Sequence, residues 1–211
     1  MLTVRSSWRS WERECLAHIW EEPAKVCGII IVDDRAAAKY SSAECHGAPL
    51  ALLALAAAIY RMSPIGPPHM AVVNRLNRLL LPAAGDDAIV SVQNSVRLSD
   101  DTEVQPDIAV LCPHPGDYEE TLPCAQDVLL IIEVADTSLD YDRTVKLPLY
   151  AQAAIVEVWI IDVRQQAVEQ YTRPAEGQYT QVQTYRSGSI LRAETLPRIE
   201  IAVDRLFPPR P

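Results

Sequence analysis

The hydrophobic and polar positions follow clear helix and strand periods from Ile59 onward. The segment GPPHMAVVNRLNRLLLP opens with two prolines, which suit the first turn of a helix because that turn leaves its N–H groups without an intrahelical acceptor. Its apolar positions form one stripe at helical spacing, made of Val72, Leu76, Leu79 and Leu80. The pattern predicts an amphipathic helix that packs one side against a core.

Three strands are predicted after this helix. AIVSVQNSVRL alternates apolar and polar residues, which is typical of a half-buried strand. DIAVL has the pattern of a short strand, and DVLLIIEVA is so apolar that we expect both of its faces to be covered. Strands that follow one another in sequence usually pair, so we expect the last two to lie side by side.

The rest of the chain predicts a second helix and three further strands. LDYDRTVKLPLYAQAA has helical spacing, although Pro148 requires that the helix begin only a few residues earlier or kink at that point. VEVWIIDV, AVEQYTR and YTQVQTY have strand patterns in hairpin succession. This order of elements predicts an α/β or α+β fold, in which helices pack on a central sheet.

Residues 1–58 have a different composition. They hold three of the four tryptophans, three of the five cysteines and two of the three lysines. They end in a stretch rich in alanine and leucine, and helix and strand periods do not alternate in them. We therefore divide the chain into an atypical N-terminal segment, 1–58, and a domain, 59–211.

Composition limits the class of protein. The chain of 211 residues is 49% hydrophobic and 22% charged, which is typical of a soluble globular protein with one core. Its formal net charge of -9 supplies no overall positive field, which argues against a protein that coats DNA non-specifically. An enzyme that contacts a few phosphates through a metal ion remains compatible with this charge.

Cysteine spacing and hydropathy predict a soluble, cytoplasmic protein. The five cysteines include no CxxC pair, so neither a zinc site nor a disulfide framework is indicated, and we expect free thiols. The longest apolar run, Pro49–Ile59, is shorter than the roughly 20 residues that a membrane-spanning helix needs. It also lies too far from Met1 to belong to a signal peptide.

Two carboxylates lie at the ends of neighbouring strand patterns. Asp107 follows Pro106 at the start of DIAVL, and Glu133 ends the apolar run of DVLLIIEVA. If the two strands pair, both side chains meet at one edge of the sheet. Adjacent carboxylates repel each other unless a cation joins them, and Mg²⁺ typically takes one or two carboxylates with waters and phosphate oxygens. Asp107 and Glu133 are therefore candidate metal ligands.

Lys146 adds a positive charge in a region that otherwise uses arginine. It is the only lysine after Ile59. At about 100° per residue, Leu139, Arg143, Lys146 and Tyr150 fall on one face of the predicted helix. That face could present an ammonium group and a phenol to the same cleft as the two carboxylates.

Each of these residues also has an ordinary structural interpretation. Glu133 could lie in solvent at a strand end, and Asp107 could be a turn residue after Pro106. Lys146 could be the i,i+4 partner of Asp142, an interaction that stabilises a helix only slightly. The spacing alone leaves both interpretations open.

Three segments resemble the Uma two family of restriction endonucleases, which belongs to the PD-(D/E)XK nuclease superfamily. They are IYRMSPIGPPHMAVVNRLNRLL, VQPDIAVL and LLIIEVADTSLDYDRTVKLPLYAQAAIVEVWIIDV. The resemblance covers nearly all of residues 59–211 in the same order. It implies a restriction-endonuclease-like αβββαβ core, with a mixed central sheet flanked by helices, extra C-terminal β-hairpins, and a homodimer.

The resemblance also assigns site residues. Asp107 matches the aspartate of the PD pair, and Glu133 matches the (D/E) position. Ala135 stands where the superfamily's lysine is expected, and the family's displaced lysine on the next helix corresponds to Lys146. The backbone carbonyl of Val134 would be a third metal ligand by the same likeness.

The implied activity is hydrolysis of DNA phosphodiester bonds with Mg²⁺ or Mn²⁺ held by Asp107 and Glu133. Lys146 would orient or deprotonate the attacking water, or offset the charge that develops on the phosphate. Three further residues are candidates for contact with the phosphate or for support of the ligands: His69, Arg143 and Tyr150.

The N-terminal segment departs from the family's pattern. Family members carry a strand-turn-strand of the form YELIDGE where this chain reads ALLALAAA. The change suggests the hypothesis that residues 1–58 come from a frame-shifted or replaced coding segment. Two other functions therefore stay open, a catalytically inactive interaction module with the same fold and a metal-dependent phosphohydrolase that acts on small phosphoesters.

Overall fold

The computed structural model of the protein describes residues 66–100 and 102–208. The atypical segment 1–58 and its frame-shifted origin lie outside the described residues. Both stay predictions, as does the division of the chain at residue 58.

The described residues form helices and short strands in the following order. They are α1 (Pro67–Ala84), β1 (Ile89–Val92), β2 (Val96–Ser99), β3 (Thr102–Val104), β4 (Ile108–Leu111), β5 (Val128–Ala135), α2 (Leu139–Tyr141), a π-helical segment (Asp142–Lys146), α3 (Leu147–Gln152), β6 (Glu157–Asp162), β7 (Ala167–Ala175), β8 (Gln178–Tyr185), β9 (Ile190–Arg192) and β10 (Glu200–Ala202). The segments from α2 to α3 are continuous and are called the composite helix.

Six strands form a mixed central sheet in the order β1-β4-β5-β6-β7-β8. β4 runs antiparallel to β1 and β5, β6 runs parallel to β5, and β7 and β8 continue the sheet as antiparallel hairpins. β9 and β10 form a separate antiparallel pair near the C-terminus. The predicted α+β class, with a mixed sheet flanked by helices and extra C-terminal hairpins, is confirmed.

The core has one layer on each face of this sheet. α1 and the pair β9–β10 cover the first face, and the composite helix covers the second. Alternate residues of β5 supply both layers, with Ile132 in the first and Ile131 in the second, because successive side chains of a strand point to opposite faces. Glu133 lies one residue after Ile132 and therefore faces the composite helix.

The predicted first helix is confirmed with small changes at its ends. α1 begins with Pro67 and Pro68 in its first turn and continues two residues past Pro82. It ends where Gly85 adopts a φ of 55° and donates its N–H to the carbonyl of Leu81. Val73 is buried with the predicted stripe, so the helix faces the sheet along a slightly wider band.

The predicted strand AIVSVQNSVRL is wrong as a single element. The chain turns at Gln93, which has a φ of 54°, and the N–H of Gln93 donates to the carbonyl of Asp107. β1 therefore stays in the central sheet, whereas β2 pairs with β3, a strand that was not predicted. The alternation of apolar residues continues across the turn, which is why it suggested one strand.

The predicted second helix is present and contains a π-helical segment. This segment, Asp142–Lys146, directly precedes the first turn of α3, in which Pro148 lies. A proline is tolerated in a first turn, and a π-helical segment changes the register of the side chains on either side of it. The composite helix therefore continues through Pro148, and its side chains do not follow a regular spacing of 100°.

Two further expectations concern the cysteines and membrane-spanning helices. Cys112 and Cys124 are free thiols, as predicted for the cysteines that the structure describes. Among residues 66–100 and 102–208, no helix has both the length and the hydrophobicity to cross a bilayer.

Candidate active site

Pairing of β4 with β5 brings Asp107 and Glu133 side by side. Ile108, the first residue of β4, lies opposite Ile132 of β5, so Asp107 and Glu133 directly follow this last pair of the antiparallel register, each at its own strand's end of the pairing. The N–H of Val134 donates to Oδ2 of Asp107 at 2.8 Å, which holds the aspartate against the end of β5. The structure thus places the two predicted carboxylates at one edge of neighbouring strands.

Glu133 is buried and hydrogen-bonded by two side chains of the composite helix. Lys146 Nζ donates to Oε2 of Glu133 at 2.8 Å. The hydroxyl of Tyr150 donates to Oε1 of Glu133 at 2.5 Å. Only 1% of the Glu133 surface and 9% of the Lys146 surface is exposed, so the ion pair lies inside the protein.

Asp142 is a third buried carboxylate in this cluster. Its Oδ1 lies 3.6 Å from Lys146 Nζ, four residues along the helix, and its Oδ2 accepts a hydrogen bond of 2.6 Å from the hydroxyl of Ser138. Lys146 therefore lies between Glu133 and Asp142. The sequence had offered these as alternatives, a lysine in the site or a lysine paired with Asp142, and the structure shows both contacts together.

His69 joins the cluster from the other layer. It lies in the first turn of α1, and its Nε2 is 3.0 Å from Oδ1 of Asp107. Burial lowers the pKa of His69, but the hydrogen bond to Asp107 and the charge of this carboxylate raise it overall. His69 thus contacts Asp107, one of the three predicted metal ligands.

Arg143 is held away from these carboxylates. Its guanidinium forms a bidentate ion pair with Glu169 of β7, and the hydroxyl of Tyr171 donates to the same carboxylate at 2.7 Å. The residues of the predicted helix face therefore have two different partners. Lys146 and Tyr150 contact Glu133, whereas Arg143 contacts Glu169. Contact of Arg143 with a phosphate stays a prediction.

Burial and neighbouring charges change the acidity of these groups. Burial is the main cause that raises the pKa of Glu133, and with the lowering effect of the Lys146 ammonium and the raising effect of the Asp107 and Asp142 charges the pKa is about 7. Burial also raises the pKa of Asp142. The pKa of Lys146 would be lowered by burial, but the charges of Glu133 and Asp142 raise it overall, so this lysine stays an ammonium.

The donor set fits a divalent cation bound by oxygen atoms. Asp107, Glu133 and Asp142 lie around the ammonium of Lys146. When all three acids are ionised, the cluster has more negative than positive charge. Within the described residues, no three side chains of histidine, cysteine, aspartate or glutamate are spaced to bind a metal by themselves. Mg²⁺ does not need such a set, because it takes one or two carboxylates and completes its shell with a carbonyl, waters and substrate oxygens.

Comparison with known proteins places the chain in a family. A family model described as "Uma2: Putative restriction endonuclease" matches residues 56–204. The chain belongs to the Uma2 family. The predicted resemblance is thereby confirmed, while no curated protein matches the chain significantly.

A solved structure supports the fold of this Uma2 family member. It is a crystal structure from Anabaena variabilis, described as "a putative nuclease belonging to DUF820". The two chains are 15% identical, with a TM-score of 0.58 over 71% of this chain and 86% of the other. At this identity the likeness shows a shared fold, which agrees with the restriction-endonuclease-like architecture that was predicted.

Sequence reasoning missed the role of Asp142 and the contact of His69 with Asp107. The signal for Asp142 was its i,i+4 spacing from Lys146, which is common on exposed helices and did not indicate a buried group. His69 and Asp107 are 38 residues apart, and only the packing of α1 at the end of β4 brings them together.

Proposed function

We propose that the protein is a metal-dependent DNA endonuclease that hydrolyses phosphodiester bonds. The observation that carries this proposal is the register of β4 and β5, which sets Asp107 beside Glu133 while Lys146 contacts Glu133 from the composite helix. The description of the Uma2 family as restriction endonucleases and that of the Anabaena protein as a nuclease support the same reaction class.

We assign Mg²⁺ or Mn²⁺ to Asp107, Glu133 and the backbone carbonyl of Val134. When bound, such an ion supplies Lewis-acid activation of the scissile phosphate and of a water molecule. Glu133 would hold the ion in its ionised form, beside Asp107, and a bound cation would offset the repulsion among the three acids.

Lys146 then acts on the reacting atoms. Asp142 lies 3.6 Å from Lys146 Nζ and would keep this group an ammonium at the edge of the site even with Glu133 engaged as a metal ligand. That group orients the attacking water or stabilises the extra negative charge on the phosphate in the transition state. Tyr150 holds the carboxylate of Glu133 in place from the same helix.

His69 and Arg143 support this arrangement in different ways. His69 contacts Oδ1 of Asp107 and keeps it directed towards the end of β5, and it would be a candidate for contact with a phosphate bound at Asp107. Arg143 ties the composite helix to β7 through Glu169, which fixes the helix that carries Lys146. The cytoplasmic location and the homodimer stay predictions beside this proposal.

A catalytically inactive interaction module is the second candidate. It is favoured by the hydrogen bonding of Glu133, because both of its carboxylate oxygens already accept hydrogen bonds, one from Lys146 and one from Tyr150. Moreover, no buried side-chain nitrogen or oxygen among the described residues lacks a hydrogen-bond partner. The net charge of -9 also gives DNA no general attraction.

Cleavage of supercoiled plasmid separates the two candidates. The endonuclease predicts nicked and linear DNA with Mg²⁺ or Mn²⁺, no product with EDTA, and no product for Asp107→Asn. Glu103→Gln is the matched control, because it removes an exposed carboxylate of β3 and should cleave like the wild type. Intact plasmid under every metal condition would favour the interaction module, and turnover of small phosphodiesters alone would favour the phosphohydrolase.

A further inference from the structure

The central sheet ends at β8, an edge strand without the usual protection. In the part of the chain that the structure describes, β8 pairs with β7 on one side and with no strand on the other. Its eight residues, QYTQVQTY, include no charged residue and no proline. Natural edge strands are usually short, charged, interrupted or covered, because an open edge pairs readily with another strand. A long uncharged edge therefore indicates a surface for association.

The sequence of this edge is self-complementary. YTQVQTY reads the same in both directions and is centred on Val182. If two copies pair antiparallel about a two-fold axis at Val182, each Val182 meets the partner's Val182. Gln181 then meets the partner's Gln183, and Thr180 meets the partner's Thr184. Each residue thus faces its own kind, and each contact is repeated on the other side of the axis, as in any two-fold symmetric interface.

We propose that β8 pairs with β8 of a second copy of this chain, so that one continuous sheet crosses the dimer. Val182 is 59% exposed, although it lies at the centre of the palindrome. Direct pairs of threonines or of apolar residues stabilise antiparallel strands, and no pair in this register brings like charges together. The proposal does not depend on nuclease activity.

The two tyrosines of the palindrome are held within their own protomer. Tyr179 donates its hydroxyl to the carbonyl of Ile155 at 2.7 Å, and Tyr185 donates to Oε1 of Gln170 at 2.8 Å. These bonds fix both ends of β8 against the sheet. The pairing surface is therefore the segment between them, 180–184, whose other edge is already paired with β7.

A second copy fits this edge better than an unrelated strand. The lack of charge gives no electrostatic preference for a charged partner, whereas pairing of the palindrome with itself sets valine against valine and threonine against threonine. Pairing of β8 with β8 of the second copy also leaves neither copy with an unpaired β8 edge. The assembly therefore stops at a dimer. One strand pair buries less surface than the about 1,200–2,000 Å² of a typical stable interface, so we expect dimerisation to depend on concentration.

Sedimentation velocity over a range of concentrations tests the interface. The wild type should shift from monomer to dimer as concentration rises. Val182→Lys places two ammonium groups opposite each other at the two-fold axis and should weaken dimerisation by at least about tenfold. Val156→Lys is the matched control, because Val156 is 48% exposed and lies outside β8, and it should dimerise like the wild type.

A charge exchange tests the register. Gln181→Lys combined with Gln183→Glu brings opposite charges together twice in the proposed pairing, and it should dimerise at least as well as the wild type. Gln181→Lys combined with Gln183→Lys brings like charges together twice and should remain monomeric. A wild type that is monomeric at every concentration, or a dimer equally insensitive to all these changes, would overturn the proposal. Thermal melting confirms that each variant is folded.

Discussion

Two glutamates are buried to the same degree in neighbouring strands, but their surroundings differ. Glu157, at the start of β6, is 0% exposed and accepts hydrogen bonds from the side chains of Trp159 and Gln170 and from the backbone of residues 194 and 195. Glu133, in β5, is 1% exposed and lies beside two other acids, Asp107 and Asp142.

The difference separates a structural carboxylate from a candidate catalytic one. Neutral donors from β6, β7 and the C-terminal segment surround Glu157, so it joins these parts of the fold without needing a cation. Glu133 has one ammonium partner among several acids, which leaves its charge only partly compensated. Burial alone therefore does not identify a site. A buried acid whose neighbours are also acids is a candidate for one.

The largest expected effect is on catalysis by the Glu133 cluster. Lys146→Ala should lower kcat for DNA cleavage by about a hundredfold to a thousandfold, because it removes the group that stabilises charge in the transition state. Single-turnover cleavage of a labelled duplex measures this effect. Arg192→Ala, which removes a cation of an exposed ion pair, is the control and should leave the rate unchanged. Equal rates for Lys146→Ala and the wild type would refute the role of Lys146.

Stability should show the opposite ranking of the two glutamates. Glu157→Gln turns an amide group towards buried N–H donors and should lower the free energy of unfolding by about 3 kcal/mol. Glu133→Gln resembles the protonated form that Glu133 adopts below its pKa of about 7, so its loss at pH 5 should be below about 1 kcal/mol. Urea denaturation of both variants checks the comparison. A greater loss for Glu133→Gln than for Glu157→Gln would contradict our assignment of the two groups.

The pH dependence of stability should identify the same group. The folded-state pKa of Glu133, about 7, lies above its ordinary value of 4.5. Its contribution to stability is therefore fully present below about pH 4.5 and is lost as pH rises through about 7. At about 1.36 kcal/mol per pKa unit, the loss between pH 4.5 and 8 is on the order of 3 kcal/mol. Urea denaturation at several pH values should show this decline for the wild type and a smaller one for Glu133→Gln.

The smallest expected effect is on the affinity for metal. A cation must displace the proton that Glu133 carries below pH 7, so the affinity for Mn²⁺ should fall by up to about tenfold for each pH unit below 7. Calorimetry in buffers of different ionisation enthalpy measures both the affinity and the proton release. An affinity that stays constant from pH 5 to pH 7 would mean that Glu133 is not a ligand.

The sequence predicted the elements with strong periodicity, and it missed those defined by a few residues. α1 and β5 were predictable because each has a long pattern that tertiary packing does not override. β3, β9 and β10 have three residues each, too few for a period to be read. The turn at Gln93 requires a positive φ at a residue that does not signal one.

The candidate site shows the same division. Asp107, Glu133 and Lys146 could be predicted because a family pattern places them at fixed points relative to long elements. The burial of Asp142 could not be predicted, because it depends on the π-helical register of Asp142–Lys146. Nor could the contact of Arg143 with Glu169, because it depends on where β7 lies relative to the composite helix.

The most direct test of the central claim is a calorimetric titration with Mn²⁺ at pH 8. We predict one site of millimolar or better affinity in the wild type and in Glu103→Gln, with at least about tenfold weaker binding for Asp107→Asn and for Glu133→Gln. Undetectable binding in the wild type, or equal binding in all four proteins, would contradict the claim that Asp107 and Glu133 share one cation.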